Sequence, residues 1–443
     1  MRAKLIVLLG FATWSLAAAQ TLEPMPGEIG LDRFRPLKAP RPAGPALKPG
    51  DRLAICGDSI TEQKMYSRLM EDYLTVCVPE LKVQVRQYGW GGERAGGFLA
   101  RMTNDCLHFK PTIATTCYGM NDHEYRPYEA RIGRAYCSNT IAVIEAFKDN
   151  GIRVILGSPG CVCKLPKNAR GTVEDLNLSL CELRNLDLEM ARDEHVGFAD
   201  VFWPMITAGA TAQRVFGADF AIAGKDGVHP GWAGHTVMAF AFLKALGLDG
   251  DIGTFTVDLK HNTLVVSKGH QVLNAMNGTF EIKSTRYPFC PCVERGQGGP
   301  DYPVCDADPT LDNSIQAALR LVPFNEQLNR LLLVARNGKA QRYKVTWGAA
   351  ARVFSRRELA EGVNLAAEFP CNPFCPAFGQ VDAAVAAKQA FETKQVKEVL
   401  QGAEGKADFP AAAKRTEKER DSLVQAIKAA FVPVTHVLAI EPE

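Results

Sequence analysis

The sequence predicts an α/β protein whose main domain has a parallel β-sheet with helices on both faces. Short apolar segments alternate with amphipathic helical segments between residues 51 and 200, and this alternation is typical of parallel sheets. The chain has 443 residues, of which 47% are hydrophobic and 23% are charged, so it has enough apolar material for a large core. Its length favours two to three domains.

Residues 1–19 are typical of a secretory signal peptide. Two basic residues precede a short apolar segment, and three alanines then offer a cleavage position. A membrane anchor fits less well, because the apolar segment is short and a Pro- and Gly-rich stretch follows it. We therefore expect a secreted or periplasmic protein with no stable membrane anchor after cleavage. Residues 20–50 are predicted to be an extended lead-in.

Residues 51–249 are expected to form the α/β domain. The predicted strands comprise residues 53–56, 82–88, 112–117, 153–157 and 196–200. The predicted helices comprise residues 62–77, 94–108, 130–149 and 173–194. Ligands bind beyond the carboxyl ends of the strands in such sheets. The polar, Gly-bearing turns after the first three strands are therefore the place to look for chemistry.

The pattern of the sequence changes after about residue 248, from alternating strands and helices to short strands. Residues 250–379 contain short strand-like segments, many cysteines and two Asn-Gly pairs that are typical of hairpins, at 277–278 and 337–338. We interpret them as a β-rich accessory region. Residues 380–443 contain much Ala, Lys and Glu and are predicted to be a helical C-terminal region.

The charge balance argues against a nucleic-acid partner. The chain has 51 Lys and Arg residues against 49 Asp and Glu residues, so its formal net charge is only +2. Proteins that bind nucleic acid usually carry a clear excess of positive charge.

Thirteen cysteines fit an oxidising compartment. Cys56 and Cys117 lie in apolar, strand-like segments and are predicted to be free core thiols. The later cysteines are predicted to form disulfides rather than a zinc site, because their spacings differ from the usual C-x-x-C pairs. These are Cys161, Cys163, Cys290, Cys292, Cys305, Cys371 and Cys375.

Two short motifs carry the residues of a nucleophilic mechanism. Ser59 follows Gly57-Asp58 where the first strand meets a helix, so its hydroxyl is expected at the sheet edge. Asp226 precedes His229 by three residues, a spacing at which the carboxylate can hold Nδ1 and leave Nε2 free as a base. Taken singly, Ser59 is also a good helix N-cap and Asp226-Gly227 a good turn pair.

Two further motifs follow the second and third strands. Asn121, in Gly119-Met120-Asn121-Asp122, has an amide that could donate to a developing oxyanion. Gly92 lets its backbone N–H approach a substrate closely. An Asx-turn and a simple tight turn are the alternatives at these two places.

Together and in this order, the four motifs resemble the blocks of the SGNH, or GDSL, hydrolase superfamily. Gly57-Asp58-Ser59 matches the first block, Gly92 the second and Gly119-Met120-Asn121-Asp122 the third. Asp226-Gly227-Val228-His229 matches the D-x-x-H of the last block. The resemblance covers about residues 51–247. The first block has Ile60 where the name-giving pattern has Leu.

The resemblance implies a three-layer α/β/α flavodoxin-like fold and ester hydrolysis. It implies Ser59 as nucleophile, His229 as base and Asp226 as its partner, with the oxyanion received by Ser59, Gly92 and Asn121. It implies no metal and no organic cofactor. Many secreted members act on carbohydrates, so the expected function is removal of an acetyl or other short acyl group from a small-molecule or polysaccharide ester.

Other functions fit parts of the same sequence. A lipase, phospholipase or acyltransferase would use the same triad. A carbohydrate-binding protein with a vestigial hydrolase domain would not need all four of the residues Ser59, Asn121, Asp226 and His229.

Some neighbouring residues are expected to be structural. His123, Glu124 and Tyr125 are interpreted as exposed loop residues rather than pocket lining. Trp90, Trp232 and His235 are expected to pack rather than to bind substrate.

Overall fold

The structure is a computed structural model that describes residues 21–27, 30–42, 44 and 46–443. The predicted signal peptide, residues 1–19, lies outside the described residues. Within the described part of the chain, no helix is both long and apolar enough to cross a bilayer.

A five-stranded parallel sheet organises the first half of the chain. Its strands lie in the order β2-β1-β3-β4-β5, and every neighbouring pair is parallel. They are β1 (Arg52–Gly57), β2 (Gln84–Gly89), β3 (Ile113–Cys117), β4 (Arg153–Gly157) and β5 (Gly197–Ala199). All five strands were predicted from the sequence, and the predicted fold class is confirmed.

Helices cover both faces of this sheet. Leu53 and Ile55 of β1 pack into one buried cluster, whereas Ala54 and Cys56 pack into another, because successive side chains of a strand point to opposite faces. The helices of this part are α1 (Ser59–Glu62), α2 (Tyr66–Val76), α3 (Ala95–Asp105), α4 (Ala130–Asp149), α5 (Val173–Asp193), α6 (Phe202–Phe216) and α7 (Trp232–Ala245). The result is a three-layer α/β/α arrangement.

The chain then forms two smaller sheets that are mainly antiparallel. One has the order β13-β10-β6-β7 and the other β12-β11-β14-β9-β8. Only the β10–β6 pair within them is parallel. Their strands are β6 (Asp251–Asp258), β7 (Thr263–Val266), β8 (His270–Met276), β9 (Thr279–Ser284), β10 (Arg330–Arg336), β11 (Arg342–Trp347), β12 (Ala350–Ser355), β13 (Val363–Asn364) and β14 (Val434–Pro442).

Strand β14 corrects one prediction, because the sequence assigned residues 380–443 to a helical region. The side chains of His436, Leu438 and Ile440 are buried at every second position, as expected for a strand packed on one face. Since β14 pairs with both β9 and β11, the end of the chain lies in the middle of a sheet.

The remaining helices lie in the second half of the chain. They are α8 (Ile315–Ala318), α9 (Phe324–Leu328), α10 (Arg356–Glu361), α11 (Leu365–Glu368), α12 (Cys375–Lys394), α13 (Ala403–Ala407) and α14 (Phe409–Ala430). A π-helical turn, Gln395–Leu400, follows α12 directly.

Helices α12 and α14 cover the free edge of β2. Lys388 of α12 donates to the carbonyl of Val85 (2.6 Å), and Arg420 of α14 donates to the same oxygen (2.8 Å). The backbone N–H of Gln87 donates to the carboxylate of Glu392 (3.1 Å). The C-terminal helices are therefore packed against the parallel sheet.

The cysteines follow the prediction only in part. Cys56 and Cys117 are free and buried, as predicted. Cys292 and Cys305 form a disulfide. The other cysteines expected to be paired instead have free thiols: Cys161, Cys163, Cys290, Cys371 and Cys375. Because Cys161 is buried and Cys163 donates to the carbonyl of Gly224, this C-x-C pair is part of the packing.

Candidate active site

Ser59 is the first residue of α1 and lies at the carboxyl end of β1. The carboxylate of Asp58 caps this helix by accepting from the backbone N–H of Ile60 (2.9 Å). Gly57 allows the sharp turn, because a Cβ there would lie 2.1 Å from Thr61 Oγ1 and 2.9 Å from the carbonyl oxygen of Cys117. The local sequence therefore presents the Ser59 hydroxyl at the sheet edge.

His229 and Asp226 are joined to Ser59 by hydrogen bonds. His229 Nε2 lies 2.8 Å from Ser59 Oγ, and His229 Nδ1 lies 2.6 Å from Asp226 Oδ2. The other oxygen of Asp226 accepts from the backbone N–H groups of Val228 and His229, both at 2.9 Å. The arrangement can move a proton from the serine hydroxyl to an imidazole whose other nitrogen is held by a carboxylate.

Asp226 is held in its ionised form. Burial raises its pKa, but the hydrogen bonds from the backbone N–H groups of His229 and Val228 and from the His229 ring outweigh burial, so the pKa of Asp226 lies below its ordinary value. A carboxylate is therefore present to stabilise an imidazolium at neutral pH.

Asn121 lies between the first and second motifs. Its amide nitrogen donates to the carbonyl of Glu93 (3.0 Å) and makes a longer contact with Asp58 Oδ2 (3.4 Å). Its amide oxygen accepts from the hydroxyl of Tyr125 (3.2 Å). Tyr125 thus fixes the orientation of the amide, with the Asn121 NH₂ group towards Asp58 and Glu93.

Gly92 lies in the turn after β2. Its φ is +73°, a conformation that favours glycine. Among the described residues, apart from its chain neighbours, no heavy atom lies within 4 Å of the position that a Cβ would take. The turn is therefore open on the side where a Gly92 side chain would project.

Glu93 is a buried residue whose role was not predicted from the motifs. Its carboxylate accepts two hydrogen bonds from Arg101 (2.6 and 2.7 Å) and one from the Tyr118 hydroxyl (3.0 Å). Because its backbone carbonyl also holds Asn121, Glu93 connects the second motif to the third. Its position directly after Gly92 was the only available signal, since Arg101 lies eight positions later on α3.

The prediction that residues 123–125 are exposed loop residues is wrong, because none of the three is exposed. His123 is fully buried, and burial lowers its pKa to about 4. Tyr125 is half-buried against the His123 ring, with a centroid distance of 4.7 Å. Glu124 is held by Arg131 in a two-pronged ion pair (2.7 and 3.1 Å). The sequence could not show that a compact turn folds these residues back towards Asn121.

Trp232 and His235 pack in the core, as expected. Trp232 is 1% exposed and donates to the carbonyl of Asp301 (2.6 Å). His235 contacts Gln63 (3.2 Å), and burial lowers its pKa to about 3. Trp90 is half-buried and lies between two cations, Arg101 and Lys397.

A cavity of about 440 Å³ adjoins the His229 loop. Pro230 forms part of its wall, and Gln63 hydrogen-bonds the Pro230 carbonyl (3.3 Å). The other walls include residues from the second half of the chain, among them Asp301, Asn313, Ala386 and Ala390. A larger cavity of about 580 Å³ lies between α2, β2 and α14. None of Ser59, Asp226 and His229 lines either cavity, but the smaller one includes Pro230, the residue that follows His229.

Comparison with known proteins shows a similarity to one family over part of the chain and a similar fold over most of it. Residues 55–237 match the model of the GDSL-like lipase/acylhydrolase family. No curated protein sequence matches the chain. A solved structure described as BT4096, a gut microbial diltiazem-metabolizing enzyme, has a similar fold, with a TM-score of 0.70 and 21% identity. The likeness covers 91% of this chain and 100% of that one, so the fold extends beyond the matched family domain.

Smaller proteins resemble part of the chain more distantly. Axe2, an acetylxylan esterase from Geobacillus stearothermophilus, has 20% identity and a TM-score of 0.39, covering 46% of this chain and 97% of its own. LAE5, an α/β hydrolase from the metagenome of Lake Arreo in Spain, has 22% identity and a TM-score of 0.38, covering 46% and 98%.

Proposed function

We propose that the chain is a serine esterase with Ser59 as nucleophile, and that its catalytic domain is residues 55–237, which match the GDSL-like lipase/acylhydrolase family. The observation that carries the proposal is the continuous hydrogen-bonded relay from Ser59 Oγ through His229 to Asp226, at 2.8 and 2.6 Å. Such a relay is the usual means of activating a serine hydroxyl.

The proposed reaction has two steps. In the first, His229 Nε2 takes the proton of Ser59 as Oγ attacks the ester carbonyl, and the imidazolium then gives that proton to the departing alcohol. In the second, His229 activates a water molecule that hydrolyses the acyl-enzyme and regenerates Ser59. Asp226 keeps the proton of the neutral imidazole on Nδ1 throughout.

The tetrahedral intermediates carry a negatively charged oxygen. We assign its stabilisation to the backbone N–H groups of Ser59 and Gly92 and to the Asn121 amide. Loss of one such donor typically raises the barrier by about 3–4 kcal/mol. The Tyr125 hydrogen bond supports this assignment, because it keeps the Asn121 NH₂ group turned towards Asp58 and Glu93, the neighbours of Ser59 and Gly92.

The cavity beside His229 supports a bulky alcohol part in the substrate. The leaving oxygen must approach His229 Nε2 to receive its proton, so the alcohol lies on the His229 side of Ser59, where the cavity wall is formed by Pro230. Its volume of about 440 Å³ is within the range of small-molecule sites. The polar lining groups of Gln63, Asp301 and Asn313 suit hydroxyl groups, and we propose an acylated carbohydrate, with acetyl as the acyl group.

We further propose that the protein acts outside the cytoplasm, secreted or periplasmic. The sequence of residues 1–19 and the Cys292–Cys305 disulfide support this. N-terminal sequencing of protein exported by the native host would test it. Export with the mature chain starting near residue 20 is expected, whereas an uncleaved chain retained in the cytoplasm would contradict it.

An esterase panel tests the main proposal. Wild type and Ser59→Ala should be compared on p-nitrophenyl acetate, p-nitrophenyl laurate and acetylated xylo-oligosaccharides. Ser59-dependent release of acetate from the oligosaccharides is the expected result. A preference for laurate would favour a lipase or phospholipase, and transfer to an added alcohol in preference to water would favour an acyltransferase. Oligosaccharide binding without any turnover would indicate a vestigial domain.

A further inference from the structure

The second half of the chain reaches the turn that contains Gly92. The π-helical turn Gln395–Leu400 places the Lys397 ammonium 5.0 Å from the centre of the Trp90 ring. π-Helical turns occur often at functional sites. Gln395 anchors this turn, because it accepts from Arg86 of β2 (2.7 Å) and donates to Glu417 of α14 (2.7 Å).

Glu62 connects Lys397 to the Gly92 turn. Glu62 is the last residue of α1, the short helix that begins at Ser59. One of its carboxylate oxygens accepts from Lys397 Nζ (2.5 Å), and the other accepts from the backbone N–H of Gly91 (2.5 Å). The side chains of Glu62 and Lys397 are 24% and 30% exposed, so this contact is partly shielded from water.

The Gly91 contact anchors the turn next to Gly92. A Cβ on Gly91 would lie only 2.8 Å from Glu62 Oε2, so glycine leaves room for the carboxylate. The Gly91 and Gly92 N–H groups belong to successive peptide units, and the turn is also closed by the Glu93 N–H, which donates to the carbonyl of Trp90 (3.2 Å). With both contacts made, the Gly92 N–H between them is restricted in where it can point.

We propose that Lys397 is a positioning residue for the oxyanion site: it holds the Glu62 carboxylate, which in turn holds the Gly91–Gly92 turn with the Gly92 N–H facing the substrate. The proposal rests on the proposed function, because it assumes the oxyanion role of Gly92. It also assigns part of the active site to a residue 160 positions beyond the end of the matched family domain, which spans residues 55–237.

Replacement of Lys397 tests the proposal. Lys397→Met keeps the aliphatic stem over Trp90 but removes the charge that holds Glu62. We expect kcat for p-nitrophenyl acetate to fall about tenfold with KM unchanged within about twofold, a smaller loss than removal of an oxyanion donor, since the donor is displaced rather than deleted. Lys397→Arg should recover at least about half of the wild-type kcat. Lys394→Met, at an exposed position on the same segment, is the matched control and should behave as wild type.

A second variant covers the case in which Lys397→Met does not fold. Glu62→Gln can still accept from Gly91 but cannot form the ion pair, and we expect the same loss in kcat. The double variant should lose no more than either single variant, because the two residues act through one contact. An organophosphate that forms a tetrahedral adduct on Ser59 should inactivate the variants more slowly in the same proportion.

The outcomes separate this proposal from the proposed function. Wild-type activity that survives in Ser59→Ala contradicts the proposed function. Activity that depends on Ser59 but keeps its kcat in folded Lys397→Met, or in Glu62→Gln, overturns the positioning role alone. A loss that Lys397→Arg does not restore, or one that appears in KM, also overturns it.

Discussion

His229 and Ser59 are separated by 170 positions in the sequence, and their side chains meet at 2.8 Å through Nε2 and Oγ. The contact depends on the parallel sheet, because Ser59 follows the first strand and the loop before α7 brings His229 back to the same edge. Asp226 holds the ring from the other side at 2.6 Å.

Ser59→Ala should abolish ester hydrolysis and leave the fold intact. The hydroxyl is the proposed nucleophile, and loss of a catalytic serine typically lowers kcat by roughly 10⁴- to 10⁶-fold. Asp58 still caps α1 in this variant, so the thermal midpoint should stay close to that of wild type. Initial rates on p-nitrophenyl acetate, with a thermal melt of the same sample, provide the check. A folded variant that still turns over would exclude Ser59 as nucleophile.

Activity should rise with pH, because the His229 imidazole must be neutral to accept the serine proton. Asp226 has a pKa below its ordinary value, so it stays ionised across the whole rise. The pH dependence of kcat/KM should be measured for wild type and for the residual activity of His229→Ala. An unchanged profile in His229→Ala would contradict the assignment.

The titration of Asp58 must be measured separately from the pH dependence of activity, because burial raises the pKa of Asp58 to about 7. Between about pH 4 and pH 7 the folded protein therefore holds a proton that the unfolded chain has released. The free energy of unfolding should fall as pH rises through this window, by at most about 1.4 kcal/mol per pH unit from this group.

Asp58→Asn should remove this contribution, so its thermal midpoint should decline less between pH 5 and pH 8 than that of wild type. Calorimetry at four pH values is sufficient, with the exposed Asp219→Asn as the matched control. Equal slopes in wild type and Asp58→Asn would show that Asp58 titrates normally. If the activity profile of Asp58→Asn matches that of wild type, the titration of Asp58 does not set the pH dependence of activity.

The region beyond residue 250 should affect substrate choice through the cavity beside His229. Ala390→Trp places a large ring in this cavity from an exposed position on α12. We expect kcat/KM for an acetylated oligosaccharide to fall about tenfold or more, with little change for p-nitrophenyl acetate. Ala387→Trp, exposed on the same helix, is the control. An equal loss on both substrates would mean that the cavity holds the acyl part instead.

Asp382→Asn should destabilise the whole protein. Asp382 and Arg68 form a two-pronged ion pair between α12 and α2, and the two side chains are 0% and 6% exposed. Breaking a buried ion pair by removing one charge typically costs about 3–5 kcal/mol. Urea unfolding should show one transition with a lower midpoint. A separate early transition, with the parallel sheet intact, would show that α12 unfolds independently.

The four motifs could be found from the sequence because each follows a strand or precedes a helix of the parallel sheet. Their order along the chain and the geometry of parallel strands are enough to place Ser59, Gly92 and Asn121 at one edge. The roles of Glu93 and Tyr125 could not be found in the same way. Each depends on the direction of a side chain within a folded turn, and no local pattern encodes that direction.

The position of the C-terminal helices could not be predicted from the sequence either. Their contacts with β2 are made by buried charged groups such as Lys388 and Glu392. In the sequence, such residues are typical of a helix face exposed to solvent. Strand β14 was missed because its alternation is short and follows a long helical segment. The role of Lys397 could not be predicted either, because its partner Glu62 lies 335 positions earlier in the chain.

The covered edge of β2 has a consequence for the synthesis of the chain. The carbonyl of Val85 accepts hydrogen bonds from Lys388 and Arg420, which lie 303 and 335 positions further along the chain. Chains emerge from the ribosome from the N-terminus, so all five parallel strands are made well before these helices exist. An uncovered edge strand presents free N–H and C=O groups to any other strand. The nascent protein therefore carries an exposed sheet edge for most of its translation, and this is the stage at which a chaperone would have to guard it against aggregation.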